Sequence, residues 1–433
     1  MTSTSDPALA QRSSAAAAAG TATTAEAEAE VGTEPKAAAA DTASATAATM
    51  PTASIPWDVV IVGGGLGGLS LAVELAQPQY SHLRVLVLEK RSRYRRDRTW
   101  SYWATHSHRY TKLERRRWNR WSVRFDGRQC VQESQIAYCT IDADAFYSAA
   151  VAHIAASNNV ELRMASAVRA VHATDTGGEL LEVNLEDSNR ETARWVMDAR
   201  PDASVGYTGL VQHFVGWEIQ TANDCFDDTL VELMDFKSAA AGLHFFYVLP
   251  YGPRNALVET TWISTLRTPP DYEAELRAYL RSRYGLSAFD CVYRERGQLP
   301  LQGEAQVTAS PRIVRVGQAA GTLRPSTGFA FLETIADAKR LAACLGGADA
   351  NTSTITAYRR HKLNSWMDRV FFQALEARWP TAPRYFMALF GGTEAQTLVP
   401  FLSGNATMWQ RLKVVMQLPK VKFLRAAWQS VLG

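Results

Sequence analysis

The chain has 433 residues and a formal net charge of +3, a length that by itself suggests two or three domains. Its first 56 residues hold 20 Ala and 10 Thr, no aromatic residue and three branched aliphatics. That is too little apolar surface to offset the entropy of ordering a backbone, so residues 1–56 read as a disordered tail. The other 377 residues carry 44 basic and 37 acidic groups, a net +7, too mild for a nucleic-acid binder but compatible with an anionic membrane surface or a phosphorylated cofactor.

The five cysteines, at 130, 139, 225, 291 and 344, form no CxxC pair and no metal-ligand spacing, which points to a reducing compartment without disulfides or a metal site. No apolar run is long enough for a spanning helix, and Glu26, Glu28 and Glu30 alternate with Ala in a tail unlike a secretory or transit signal.

Trp57-Asp-Val-Val-Ile-Val62, Gly63-Gly-Gly-Leu-Gly-Gly68 and Leu69–Ala76 predict strand, turn and helix. Gly63, Gly65 and Gly68 satisfy GxGxxG: the first for a tight turn, the second for backbone approach to a pyrophosphate, the third for close helix packing. A second apolar strand, Arg84–Leu88, ends in Glu89, where an acid accepts hydrogen bonds from a ribose hydroxyl. An acid there disfavours a 2′-phosphate. FAD or NAD therefore fits better than NADP, and the position of the motif at the head of a long folded region favours FAD.

Six bases then fall within Lys90–Arg98, followed by Thr99-Trp-Ser-Tyr-Trp103. This reads as a loop over the diphosphate or against a membrane, with Lys90, Arg98 and Thr99 as cofactor contacts. Residues 206–300, with runs such as Phe245–Leu249 and Ala256–Thr261, predict an antiparallel sheet. Gly317 to Phe329, leading into Leu332–Leu341, reads as strand, loop and a helix aimed at the cofactor, and residues 354–433 read as helical.

Several segments, in order, resemble lycopene β-cyclases of the flavoprotein type. They are Arg98–Trp103, Asp198-Ala-Arg200, Val215-Gly-Trp-Glu-Ile219, Leu233–Phe236, Phe245–Tyr251, Leu257-Val-Glu-Thr-Thr261, Gly297–Pro300, and Val316–Gly321 with Pro325–Phe329. The likeness continues through Arg369–Phe372, Phe390-Gly391 and Leu398–Gly404.

The resemblance implies an α/β fold: a Rossmann-like FAD-binding module over about 57–345, interleaved with a substrate domain at about 136–190 and 206–300, then a helical region over 346–433. It further implies that lycopene or a related acyclic carotene is cyclised with reduced FAD bound, NAD(P)H as electron source and no net redox change. Glu218 is expected as the leading acid or base, and Glu259 as a second acid or cation stabiliser, with roles that can be exchanged. Asp198, Gly317, Gly328 and Phe329 join the expected cofactor contacts, with no metal. Thr260 stands where relatives often carry a second acid beside the first, which puts an adjacent carboxylate pair in doubt. Gln318 stands where the wider class has an Asp.

A forty-carbon hydrocarbon substrate and a basic, aromatic-rich C-terminal stretch together predict peripheral attachment to the cytoplasmic face of a membrane. Two other readings stay open: a prenyl-chain or carotenoid reductase or hydroxylase of the same fold, and a non-catalytic isoprenoid carrier that has lost its flavin.

Overall fold

The computed structural model describes residues 55–174, 180–201, 209–265, 268–301 and 308–432; all but the last two residues of the expected tail lie outside them. The chain begins Trp57–Val62 (β1), Leu66–Leu75 (α1), Val85–Leu88 (β2), Thr99–Trp103 (β3), Arg116–Phe125 (β4), Arg128–Asp142 (β5) and Ala143–Ala155 (α2). It continues Val160–Arg163 (β6), Val168–Ala173 (β7), Leu181–Leu185 (β8), Arg190–Asp198 (β9), Val211–Gln220 (β10), Leu230–Lys237 (β11), Leu243–Gly252 (β12) and Asn255–Ser264 (β13). Next come Tyr272–Tyr284 (α3), Asp290–Pro300 (β14), Ile313–Arg315 (β15) and Phe331–Leu345 (α4). Lys362–Glu376 (α5), Pro383–Gly392 (α6), Ala395–Leu402 (α7), Met408–Gln417 (α8) and Lys420–Leu432 (α9) follow.

Two sheets organise these elements. In the first, β6, β2, β1 and β9 are parallel neighbours; β9 also pairs antiparallel with β8 near its start and parallel with β15 near its end, and β7 lies beyond β8. Val59–Val62 and Val85–Leu88 are buried on both faces, as branched runs are in the middle of a covered parallel sheet. α1 packs on α2 and α4 to supply one cover.

The second sheet has eight strands in the order β14-β10-β13-β12-β11-β4-β5-β3, antiparallel except for the β11–β4 pair. α3 closes one face of β10 and β13, with Leu276, Tyr279 and Leu280 packed on Trp217, Phe246 and Val258. The fold is therefore mixed α/β: a mostly parallel sheet and a mostly antiparallel sheet, followed by C-terminal helices.

Sheet membership differs from the sequence boundaries. Residues 99–142, assigned mostly to the cofactor module, supply β3, β4 and β5 of the second sheet, whereas 143–198, assigned largely to the substrate region, supply α2 and β6 to β9 of the first. Cross-strand packing decides this, not distance along the chain from the glycine motif. The Trp103 ring lies 4.2 Å from Trp121 and 4.7 Å from Tyr138, fastening β3 to the second sheet.

Candidate active site

After β1 the backbone turns at Gly63, whose φ of +98° lies in the left-handed region. A Cβ on Gly68 would stand 1.9 Å from the Gly63 carbonyl oxygen, so only glycine lets α1 start this close to the strand. Gly65 caps α1 with no side-chain bond, and a Cβ built there meets nothing within 4 Å. The first N–H groups of the helix have no intrahelical partner and stand at the positive end of its dipole, an arrangement that takes a phosphate.

Glu89 is buried at the end of β2 and accepts hydrogen bonds from the Gly64 amide at 2.6 Å and from Arg91 Nε at 2.9 Å. Burial alone would raise its pKa, but the bonds and charge of Arg91, with the Gly64 amide, hold it below the ordinary value. Arg91 also donates to it from its amide at 2.8 Å and from Nη2 at 3.2 Å, so the carboxylate's acceptor sites are filled and a ribose hydroxyl would share or displace one of these bonds. Gly317 lies against Gly67, where an added Cβ would come within 2.9 Å of its Cα. Gly63, Gly65, Gly68, Glu89 and Gly317 therefore converge at one end of the parallel sheet, and they fit the diphosphate and ribose of a dinucleotide such as FAD.

The other expected cofactor contacts differ in their surroundings, Asp198 lying beside Val62 at the end of β1. Lys90 is exposed, and Arg98, about half exposed, pairs with its neighbour Asp97 at 3.2 Å. The Asp198 carboxylate is taken by Arg200 at 2.9 Å and Arg315 at 3.2 Å, so its direct role is to hold two guanidinium groups at the end of β9. Thr99, Gly328 and Phe329 line a cavity against the second sheet.

That cavity has a volume of about 560 Å³, within the range of small-molecule sites. β3, β10 to β13 and the helices from α5 onward enclose it, with aromatic walls from Phe214, Phe245, Phe329, Phe371 and Phe386. Two carboxyl groups line it, Glu259 and Asp368. Asp368 is neutralised: it accepts from Ser326 Oγ at 2.6 Å and pairs with Arg324 at 3.4 Å.

Glu259 has a different environment. It lies on β13 directly opposite Gly216 of β10, and Glu295 of β14 lies opposite the same glycine on the other side. Directly opposed residues project to one face of a sheet, so the two carboxyl groups meet above a position with no side chain. A Cβ on Gly216 would approach Glu259 Cγ to 2.8 Å and Glu295 Cγ to 3.2 Å.

Burial, then the charge of Glu295 and the hydrogen bond shared with it, push the Glu259 carboxyl well above the usual range. Burial also raises Glu295, opposed by its bond with Glu259, by hydroxyl donors Tyr293 at 2.9 Å and Thr99 at 3.1 Å, and by the charge of Arg96. Both carboxyl groups are thus raised by burial, and Glu259 is the one of the two that lines the cavity.

Glu218, expected to lead, sits one pleat along β10 from Gly216 and does not line the cavity. Arg115 holds it through two bonds of 2.6 and 2.8 Å, and Arg96 through one of 2.6 Å. Burial would raise this carboxyl, but these hydrogen bonds and charges outweigh it and hold the pKa at about 2. An ionised carboxylate is a poor proton donor, so of the roles open to Glu218 the geometry favours base over acid.

Sequence reading missed Glu295, Gly216, Arg96 and Arg115. Glu295 stands two residues before Gly297, inside the region read as an antiparallel sheet, but its meeting with Glu259 depends on a three-strand register that no local pattern encodes.

α8 and α9 form one rim of the cavity through Val415, Met416, Lys420, Phe423, Leu424 and Ala427. Among the described residues, eight of the eleven exposed large hydrophobics lie on these helices, including Trp409 at 66%, Leu424 at 68% and Trp428 at 70% exposure. Residues 395–433 contain five bases and no acid. No helix among the described residues is long and apolar enough to cross a membrane.

A family profile described as lycopene cyclase protein matches residues 58–428. A lycopene beta-cyclase of Paracoccus sp. (strain N81106 / MBIC 01143) is 27% identical over 399 residues, covering 84% of this chain and 94% of that one. Among solved structures, a geranylgeranyl bacteriochlorophyll reductase-like protein from Thermoplasma acidophilum superposes with a TM-score of 0.58 at 15% identity, over 86% of this chain and 98% of that one. The flavin-dependent brominase Bmp2 gives 0.54 at 14% identity, over 84% and 95%. A point mutant of halogenase PltM, solved in complex with FAD, gives 0.52 at 13%, over 81% and 79%. Likeness at these identities concerns the fold.

Proposed function

The chain belongs to the lycopene cyclase family, and from that premise we propose that it closes the acyclic ends of lycopene into β-ionone rings, with Glu259 as the proton donor. The observation that carries this reading is the Glu259 carboxyl: buried, pushed well above the usual carboxylate range by that burial and by Glu295, and opening into an apolar cavity.

In the proposed reaction Glu259 gives its proton to the terminal trisubstituted alkene, forming a C–H bond and a tertiary cation. The electron pair of the neighbouring double bond then forms the ring C–C bond. A ring proton is lost to the carboxylate just uncovered, leaving a new double bond and the enzyme in its starting protonation state. The aromatic walls exclude the water that would trap the cation, and their ring faces stabilise it.

The fingerprint glycines and Glu89 would hold FAD; when bound in its reduced form, with NAD(P)H as reductant, it supplies an electron-rich ring without being consumed. The hydrocarbon substrate arrives from lipid. The basic, apolar faces of α8 and α9 at the rim suit peripheral attachment to the cytoplasmic face of a membrane.

The test is expression in a lycopene-accumulating bacterial host. Wild type is expected to convert the pigment to cyclic carotene, and Glu259→Gln to leave it as lycopene. Unchanged lycopene with well-folded wild type, or full activity of Glu259→Gln, would contradict the reading. Because the Thermoplasma neighbour is reductase-like, product mass is measured as well: cyclisation leaves it unchanged, while reduction adds two hydrogens and hydroxylation an oxygen.

A further inference from the structure

We propose that Glu295 is the positioning partner of Glu259: the two carboxyl groups, brought together over the bare Gly216, share a single proton that Glu295 keeps on the cavity side. The proposal rests on the cyclase reading for its chemistry, but its geometry stands apart from that reading.

Three features of the geometry carry it. First, Glu259 and Glu295 flank one residue of β10 from its two sides, and that residue is the glycine whose Cβ would strike both stems. Second, both are buried, at 8% and 6% exposure. Two carboxyl groups in contact and out of water do not both ionise, because like charges repel strongly at short range in a poorly polarisable site. Third, their outer partners differ. Glu295 Oε2 accepts from the hydroxyl groups of Tyr293 and Thr99, which stabilise charge on that side. Glu259 faces the cavity.

The division of labour follows. Negative charge rests on Glu295, which does not line the cavity, and the proton on Glu259 is presented to the alkene. When Glu259 donates, two carboxylates stand together, so the pair strongly recaptures the ring proton that must next be lost. Donation and recapture return the pair to one proton, with no other acid or base consumed.

The groups facing the pair are limited. From β14 and the loop before β3 they are Tyr293 and Arg96, the latter with its guanidinium 3.7 Å over the Tyr293 ring. From β5 and β12 they are Tyr138, Tyr247 and Tyr251, the first two joined by a 2.9 Å hydroxyl bond. Burial keeps all four phenols neutral well past neutral pH, so the alkaline limb of activity belongs to the pair.

The experiment compares full-length wild type, Glu295→Gln, Glu295→Asp and Glu259→Gln, with infrared titration of protonated carboxyl and the pH profile of kcat/KM on lycopene in vesicles. Wild type is expected to hold one protonated buried carboxyl at neutral pH, absent in Glu259→Gln. Removing the like-charged neighbour in Glu295→Gln should move the alkaline limb toward acid by about one pH unit or more, and Glu295→Asp should restore it in large part. An unmoved limb in folded Glu295→Gln, or no protonated carboxyl in wild type at neutral pH, would overturn the proposal. The infrared measurement needs no turnover, so it judges the pair even if lycopene is not the substrate. Conversely, lycopene cyclisation by wild type with an unmoved limb would leave the cyclase reading standing and remove only the pair.

Discussion

Glu218 and Glu259 are both buried glutamates on neighbouring strands, and their surroundings drive them in opposite directions. Two guanidinium groups hold Glu218 at about 2. Its folded pKa lies below the ordinary value, so its contribution to stability is present above that value and is lost as pH falls through about 2. Glu218→Gln should therefore cost about 2 kcal/mol at neutral pH, because Arg96 and Arg115 then keep only Asp142 as a carboxylate partner. Urea unfolding measures this, and the deficit should shrink in acid. Glu259 is the reverse case. Its folded pKa is raised, so the folded state binds a proton more tightly than the unfolded chain, and wild-type stability falls as pH rises from the ordinary carboxylate range through the raised value. Glu259→Gln should match wild type in acid and become the more stable of the two in mild alkali. A Tm difference that does not grow with pH would count against a protonated Glu259.

At the scale of elements, what could be read from sequence was what is local. The strand, glycine turn and helix of residues 57–75 are encoded by consecutive residues, and so is Glu89 at the end of β2. The acids on β10 and β13 were legible as interruptions of apolar runs. Thr260, beside Glu259, was read as the loss of a second acid, but alternation turns Thr260 to the opposite face, where it bonds His244 and Glu275. The second acid comes instead from β14, by register across β10. The basic, apolar character of α8 and α9 was also legible, whereas their place at the cavity rim was not. If this rim meets the membrane, Trp428→Ser should weaken sedimentation with anionic vesicles by roughly tenfold through lost apolar burial. Lys422→Glu should weaken it mainly at low salt. Equal sedimentation of both variants with wild type would remove the rim from membrane contact.

Over the whole molecule, the chain crosses between the two sheets more than once, with β3 to β5 leaving the first sheet and α2 to β9 returning to it. This weaving brings the glycine turn of residues 63–68 into one unit with Gly317 and with acids contributed some two hundred residues later. Such an exchange leaves no mark along the sequence: a break in composition marks a tail, but a crossing between two sheets does not. The basic excess of the folded region is likewise divided, with Arg96 and Arg115 paired with carboxylates and Lys420 at the cavity rim.

Proton-initiated ring closure in the Glu259 cavity is tested most directly by the product formed from purified lycopene by the purified protein, supplied with reduced flavin and anionic vesicles. The expected product has the mass of lycopene and one carbon–carbon double bond fewer for each ring closed. A product heavier by two hydrogens or by oxygen, or lycopene recovered unchanged from folded, flavin-loaded protein, would contradict it.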